Sequence, residues 1–164
     1  MNKEILDMCC GGRMFYFDKA DPRVLFCDIR RVKTELCDGR DFEVAPDVQC
    51  DFTNLPFPGE SFSQVIFDPP HLMYTGKDAH AEPTGYQQIK YGALYTDWPD
   101  KIRKGFAEAF RVLKPHGTLV FKWNETDVKV REILALTPHK PVIGHKSGKA
   151  SKTHWILFYK GGVE

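Results

Sequence analysis

Four short apolar runs, each followed by an aspartate, are the feature that most limits how this chain can fold. The runs end at Asp7, Asp28, Asp51 and Asp68. Apolar runs of this length, bounded by turn signals, are typical of buried strands. Strands separated by short helices and loops form a doubly wound α/β sheet, which binds ligands beyond its carboxyl edge, where the strand order reverses. We therefore expect the four carboxylates to line a single edge and to form part of one pocket.

Two more strands and a helix complete the expected core. Residues 118–123 and 153–159 are strand-like, and the apolar stripe that begins after Asp97 predicts a helix that stops at Lys114. The remaining segments are expected to form a short helix and a loop (30–46), a lid or substrate loop (72–96), a further helix (127–136) and a basic loop (138–152).

Composition narrows the class of protein. The chain has 164 residues, 42% of them hydrophobic and 27% charged, which predicts one globular domain over residues 1–164 without a separate target-recognition domain. The formal net charge is +1, so any nucleic-acid surface has to be local. The five cysteines are odd in number and lack Cys-x-x-Cys spacing, which favours reduced thiols in a cytoplasmic protein and argues against zinc. No apolar run is long enough to cross a membrane.

A glycine pair follows the first acid. Gly11 and Gly12 lack a Cβ, so the backbone there can approach a ligand closely. Asp28, at the end of the second run, has the spacing of an acid that binds ribose hydroxyls. Each feature has a plainer explanation, a tight turn for the glycines and a helix cap for Asp28.

The fourth acid opens the turn Asp68-Pro69-Pro70-His71. Two consecutive prolines cannot extend a central strand, because each lacks an N–H group and fixes φ. The turn therefore holds a carboxylate and a flat ring rigidly at the end of a buried strand. Taken alone it is as readily a strand-ending turn as a catalytic one, and its place after three other acid-tipped runs favours the catalytic interpretation.

Over nearly its full length the chain resembles the class I S-adenosylmethionine-dependent methyltransferases. Asp7-Met8-Cys9-Cys10-Gly11-Gly12 resembles their glycine-rich cofactor motif, and 106–120 is similar to their helix–turn–strand unit. The resemblance implies a Rossmann-like, mostly parallel seven-stranded sheet with an antiparallel last strand and helices on both faces. It implies that S-adenosylmethionine is bound by Asp7, Met8, Cys9, Gly11, Gly12, Asp28, Ile29, Asp51, Phe52 and Asp68.

The proline turn is similar to the signature of amino-methyltransferases that modify exocyclic amines of nucleobases. By that resemblance the catalytic residues are Asp68, Pro69, Pro70 and His71. Asp68 and the Pro69 carbonyl would accept hydrogen bonds from the amine, and His71 would stack on the base. The expected reaction is methyl transfer to adenine N6 or cytosine N4 in DNA, as in small phage-type enzymes. RNA base methylation and a cofactor-binding module without independent activity remain the alternatives.

Two positions depart from the family pattern. Arg13 stands where many relatives have another glycine, and His71 replaces the commoner tyrosine, phenylalanine or tryptophan. The expected nucleic-acid contacts are lysines in the lid and in the basic segment: Lys77, Lys90, Lys146, Lys149 and Lys152. A solvated loop explains the basic segment equally well, and a protein partner for target choice is left open.

Overall fold

The computed structural model describes residues 3–74 and 86–162, with the side chains of residues 86–88 excepted. A seven-stranded sheet forms its centre, with the strand order β5-β2-β1-β6-β7-β9-β8. Its strands are β1 (Ile5–Asp7), β2 (Val24–Asp28), β5 (Val48–Gln49), β6 (Phe62–Phe67), β7 (Leu113–Asn124), β8 (Ile143–Lys146) and β9 (Thr153–Tyr159). β9 runs antiparallel to both neighbours, β7 and β8, while the other pairings are parallel. This confirms the expected α/β fold with an antiparallel last strand.

The main core lies on one face of the sheet. There the helix α2 (Trp98–Val112) packs on β6 and β7 through Ile102, Phe106, Ala109 and Phe110. The helix α3 (Val130–Leu134) adds Ile133 to the same core. α2 and α3 thus lie on this one face, whereas the sequence predicted helices on both faces of the sheet. On the other face, the described part of the chain covers Val24 and Phe26 with Cys10 and Tyr16, which belong to no helix.

Residues 30–46 do not form the expected short helix and loop. They form an antiparallel hairpin of β3 (Val32–Glu35) and β4 (Asp41–Val44). Leu36, Phe42 and Val44 are buried in a small core of their own, and Gly39 turns the chain at φ 80°. Apolar residues alternating at a period of two, with a glycine between the runs, are typical of a hairpin. The polar residues between them concealed that alternation.

The predicted lid is described at its two ends. The helix α1 (Tyr86–Tyr91) lies in its second half, and residues 75–85 are outside the described residues. Met73 and Leu94 form a β-bridge, with Tyr74 N donating to the Leu94 carbonyl at 2.7 Å and Leu94 N to the Leu72 carbonyl at 2.8 Å. Leu94 is 2% exposed and joins the main core. Both ends of the segment are therefore fixed to the domain.

The predicted basic loop over 138–152 is partly regular structure. It contains β8, which pairs with β9 from Ile143↔Leu157 to Lys146↔His154. All four β8 residues are exposed, so the strand lacks the buried side that makes a strand recognisable from sequence. In the described part of the chain no helix is long and apolar enough to span a membrane.

Candidate functional site

The strand order reverses between β1 and β6. β1 pairs with β2 on one side and with β6 on the other, so the chain segments that follow these three strands meet at the carboxyl edge of the sheet. Ligands of doubly wound sheets bind at such a reversal. The glycine turn, Asp28 and Asp68 are all placed there, as the sequence predicted.

Asp7 ends β1 and is fully buried. Its carboxylate accepts hydrogen bonds from the backbone N–H of Cys9 at 3.0 Å and from the Tyr16 hydroxyl at 2.8 Å. Burial raises the pKa of Asp7 to about 7, and the nearby carboxylates of Asp68 and Asp28 add to that rise. Asp7 lines none of the three cavities described below. Asp7 thus shapes the start of the glycine turn, and its contact with the cofactor stays a prediction.

Arg13 adopts the left-handed backbone conformation, with φ 52°. Non-glycine residues enter this region at a cost, and here the side chain is held in several contacts. The guanidinium donates to the carbonyls of Lys19 and Ala45 at 2.6 and 2.7 Å and lies 3.7 Å from the ring centroid of Phe26. Arginine thus takes a conformation suited to glycine while its side chain turns away from the loop.

Asp28 lies at the end of β2 with its carboxylate almost fully engaged. The backbone N–H of Gly11 donates to Oδ2 at 2.9 Å, which ties the glycine turn to the second strand. The Arg30 backbone N–H and Nε donate to Oδ1 at 2.9 and 3.1 Å. Arg30 Nη1 also donates to the Ile89 carbonyl of α1 at 3.0 Å. Arg30 therefore joins the predicted ribose-binding acid to α1.

A cavity extends from Asp28 to the proline turn. Six of the residues predicted to bind the cofactor line it, together with Arg30, Pro70 and residues 91–93 from the lid; the six are Met8, Cys9, Asp28, Ile29, Phe52 and Asp68. Ile29 is 57% exposed, and Phe52 packs on Phe67 at 5.3 Å between ring centroids. Asp51 lies outside this lining, and its carboxylate accepts a hydrogen bond from the Thr53 N–H at 2.8 Å within its own turn.

A second cavity adjoins the first along the glycine turn. Its lining combines Gly11 and Gly12 with Asp68, Pro69 and His71. Cys9, Arg30, Asp68 and Tyr91 line both cavities. The structure therefore brings the glycine turn and the proline turn to one continuous crevice.

Asp68 forms an ion pair that the sequence did not reveal. Lys122 Nζ lies 2.6 Å from Asp68 Oδ2, because β6 and β7 pair in parallel through Phe67↔Phe121 and the next residues lie side by side. Burial raises the pKa of Asp68, and the Lys122 ammonium opposes that rise. Within residues 3–74 and 86–162, no hydrogen bond reaches Asp68 Oδ1 or the Pro69 carbonyl. Both oxygens are thus available to a ligand.

His71 lies beside Tyr91, with 5.5 Å between the ring centroids and 50° between the planes. Burial, together with the Lys122 charge, lowers the pKa of His71, so its ring is neutral over a wider pH range than an exposed histidine. A third cavity on this side of Asp68 is lined by His71, Leu72, Tyr91, Lys122, Asn124, Thr126 and Thr153. A flat polar ligand in that cavity would meet a neutral aromatic ring and several hydrogen-bonding groups.

Lys122 and Arg30 are the site residues that sequence reasoning missed, whereas Tyr91 was among the tyrosines expected either to stack on bases or to pack the lid. Lys122 offered a signal, because it is the one charge within the apolar run Leu119-Val120-Phe121-Lys122-Trp123. Its neighbours Phe121 and Trp123 are fully buried on the core face, so period-two alternation directs Lys122 to the opposite face near the carboxyl edge. Arg30 carried no comparable signal, because it lies in a polar segment.

The predicted nucleic-acid lysines have different surroundings. Lys146 donates to Glu125 at 2.8 Å, and this contact, followed by that of His154, lowers the pKa of Glu125 to about 2. Lys149 and Lys152 are exposed in the turn between β8 and β9, and Lys152 directly precedes Thr153 of the Asp68 cavity. Lys90 lines the glycine-turn cavity. Lys77 lies outside the described residues.

Comparison with family models and with curated proteins finds no match. Solved structures do share the architecture. One is an S-adenosylmethionine-dependent methyltransferase from Methanosarcina mazei, 13% identical, with a TM-score of 0.57 over 99% of this chain and 95% of that chain. The PH0226 protein from Pyrococcus horikoshii is 16% identical, with a TM-score of 0.55 over 95% of this chain and 81% of that chain.

The [4+2]-cyclase SpnF is a third structure of this kind, 12% identical, with a TM-score of 0.53 over 97% of this chain and 74% of that chain. At such low identities the likeness concerns the fold. Because one of these neighbours is a cyclase, the fold leaves the reaction open, and the chemistry has to be argued from the residues of the site. The chain therefore has the Rossmann-like fold seen in S-adenosylmethionine-dependent methyltransferases.

Proposed function

We propose that this protein is an S-adenosylmethionine-dependent methyltransferase that modifies an exocyclic amine of a nucleobase, adenine N6 or cytosine N4, in DNA. The observation that carries the proposal is the position of Asp68-Pro69-Pro70-His71 at the carboxyl end of β6, in one crevice with the glycine turn and Asp28. A module that only binds a nucleoside has no use for a rigid carboxylate in that place.

The residues of the crevice fit S-adenosylmethionine. Asp28 can accept hydrogen bonds from ribose hydroxyls, and Ile29 and Phe52 offer apolar surface to an adenine ring. Gly11, at φ 47°, brings backbone close to the same space. Arg30 has to share or release the Asp28 carboxylate when the cofactor binds, because it donates to both carboxylate oxygens. The cofactor supplies an electrophilic methyl group on a sulfonium centre.

The chain's own part in the reaction is to position and activate the amine. The lone pair of an exocyclic amine is delocalised into the base, which makes the nitrogen a poor nucleophile. Hydrogen bonds from the amine to Asp68 Oδ1 and to the Pro69 carbonyl favour a pyramidal nitrogen whose lone pair points away from both acceptors. Positioning and preorganised electrostatics of this kind supply most of the rate in such transfers. The amine proton leaves to Asp68 and then to water.

His71 and Tyr91 are placed to hold the base. Extracting a base from its stack costs roughly a few kcal/mol, and stacking on an aromatic ring returns about 1–3 kcal/mol. The lowered pKa of His71 keeps the ring neutral, so it presents a π-face to the base. Lys149 and Lys152, in the turn next to the Asp68 cavity, are placed to neutralise flanking phosphates.

The decisive experiment offers labelled S-adenosylmethionine with duplex DNA, single-stranded DNA and total RNA, followed by mass spectrometry of the nucleosides. We expect N6-methyladenine or N4-methylcytosine from DNA. Asp68→Ala should abolish transfer, because the amine loses its acceptor, while calorimetry still detects cofactor binding through the remaining residues of the crevice.

Asp28→Ala provides the converse control and should lose cofactor binding. Transfer of the labelled methyl group to RNA alone would show that the substrate is RNA and not DNA. An active Asp68→Ala protein would contradict the mechanism, and absence of transfer to every polymer would contradict the proposed function.

A further inference from the structure

Asp68 and Lys122 place an acceptor and a donor side by side at the carboxyl edge of the sheet. The two residues directly follow the paired positions Phe67 and Phe121 of adjacent parallel strands, so the sheet itself sets their spacing. Lys122 Nζ lies 2.6 Å from Asp68 Oδ2. The side chains are only 23% and 20% exposed, which means that the pair is largely shielded from bulk water.

The Lys122 ammonium retains donors for a ligand. It lies 5.3 Å from the ring centroid of Phe15 and 5.6 Å from that of Trp155, which pairs with Lys122 on the neighbouring strand β9. An ammonium has three N–H donors, and among the described residues only Asp68 accepts one of them. Lys122 also lines the two cavities that meet at Asp68 beside His71. Its remaining donors therefore have access to the space in which a base would lie.

We propose that Lys122 donates a hydrogen bond to the ring nitrogen beside the reactive amine, so that the site accepts adenine or cytosine and rejects guanine. The inference rests on the proposed function. Adenine N6 lies next to the acceptor N1, and cytosine N4 next to the acceptor N3, so each Watson–Crick edge offers a donor beside an acceptor. Asp68 and Lys122 form the complementary pair. On the Watson–Crick edge of guanine the amine lies next to the N1–H donor, which would face the Lys122 ammonium.

The rejection of guanine follows from the shielding of the pair. A charged donor that meets another donor away from water loses its solvation without replacing it, and such unpaired buried polar groups discriminate strongly between ligands. A competing role for Lys122 is to orient Asp68 alone. In that case the lysine would affect every substrate amine equally, whatever atom lies next to it.

Deaza bases separate the two roles. The substrates are matched oligonucleotides with one target base, either adenine against 1-deazaadenine or cytosine against 3-deazacytosine, in which the ring nitrogen becomes C–H. For the wild-type protein we expect kcat/KM to fall by roughly 10- to 100-fold on the deaza base, the range for one well-formed base contact. Lys122→Met should transfer to both bases equally, Lys122→Arg should retain part of the discrimination, and Lys104→Met on the exposed side of α2 should behave as wild type.

The ratio of the two rates is measured on a single preparation, so a partly unfolded variant does not alter it. Equal rates on both bases for the wild type, or discrimination that survives in Lys122→Met, would overturn the base contact and leave the methyltransferase function intact. Methyl transfer to guanine N2 would also overturn it. Failure to methylate any exocyclic amine would instead contradict the proposed function and the inference together.

Discussion

Asp7 shapes the glycine turn although it does not itself line the crevice. It is fully buried, and its two carboxylate oxygens accept from Cys9 N–H and the Tyr16 hydroxyl, so it fixes the start of the glycine turn. Burial disfavours the charged form and raises the pKa to about 7. The pKa of an aspartate in an unfolded chain is about 3.9. A carboxyl group that holds its proton only in the folded state makes stability depend on pH.

The sign of that dependence leads to a prediction for Asp7→Asn. Between roughly pH 4 and pH 7 the folded protein retains a proton that the unfolded chain has lost, so stability falls as pH rises, by up to about 1.4 kcal/mol for each pH unit. Asparagine cannot titrate, so the free energy of unfolding of the variant should lack this contribution. Urea unfolding at several pH values measures it.

The exposed hairpin residue Asp41 provides the matched control. Asp41→Asn should preserve the wild-type dependence on pH. A wild-type protein and an Asp7→Asn protein with parallel stability curves across pH 4 to 8 would contradict the titration of Asp7.

At the scale of the elements, the close packing of α2 against the sheet is what positions the apolar side of the crevice. Gly105 lies on the buried face of α2, where a Cβ would lie 2.5 Å from Phe67 Cζ and 2.9 Å from Phe52 Cδ2. Phe67 directly precedes the proline turn, and Phe52 lines the cavity beside Asp28. The absence of one methyl group thus lets the helix approach both rings.

Gly105→Ala should therefore be destabilising although alanine favours helices. Alanine gains up to about 1 kcal/mol in helix propensity, whereas overpacking a filled core typically costs about 1–3 kcal/mol. We expect a lower midpoint of thermal unfolding and weaker cofactor binding, since Phe52 has to move. Lys104→Ala on the exposed side of the same helix should change neither, and a more stable Gly105→Ala protein would show that the helix moves away at no cost.

The elements also show what a sequence can and cannot predict. β1, β2, β6 and α2 were predictable because burial gives them apolar patterns of their own. The β3–β4 hairpin was misread because polar residues such as Lys33 and Glu35 separate its apolar positions, and β8 was missed because none of its residues is buried. Both elements form because they pair with another strand, β3 with β4 and β8 with β9, and the sequence pattern of a single strand does not reveal its partner. The ion pair of Asp68 with Lys122 likewise joins residues from distant parts of the chain.

On the scale of the whole molecule, binding to a polyanion has to come from local charge. The formal net charge is +1, while Lys149 and Lys152 are exposed in the turn that follows β8 at the carboxyl edge. Lys146 contributes less, because Glu125 neutralises it. For the proposed nucleic-acid substrate, this distribution of charge favours an orientation toward the edge that carries Asp68.

Salt dependence tests this orientation. Each phosphate contact contributes roughly 0.7–0.9 to the slope of log K against log salt concentration, so Lys149→Gln should reduce the slope by about that amount and weaken binding to all sequences alike. Lys104→Gln removes one charge from the exposed side of α2 and should leave the slope unchanged. Fluorescence anisotropy across a salt series measures both, and equal slopes for the two variants would remove the basic turn from the interface.

The bridge between Met73 and Leu94 has a consequence for how such a domain can evolve. The bridge joins the two ends of the intervening chain segment, and Leu94 anchors this junction in the main core. The entropy of closing a flexible loop rises only with the logarithm of its length, by about 0.6 kcal/mol for each doubling. Insertions and deletions between these two residues can therefore change the length of the segment that leads to the crevice-lining residues 91–93, at almost no cost to the stability of the fold.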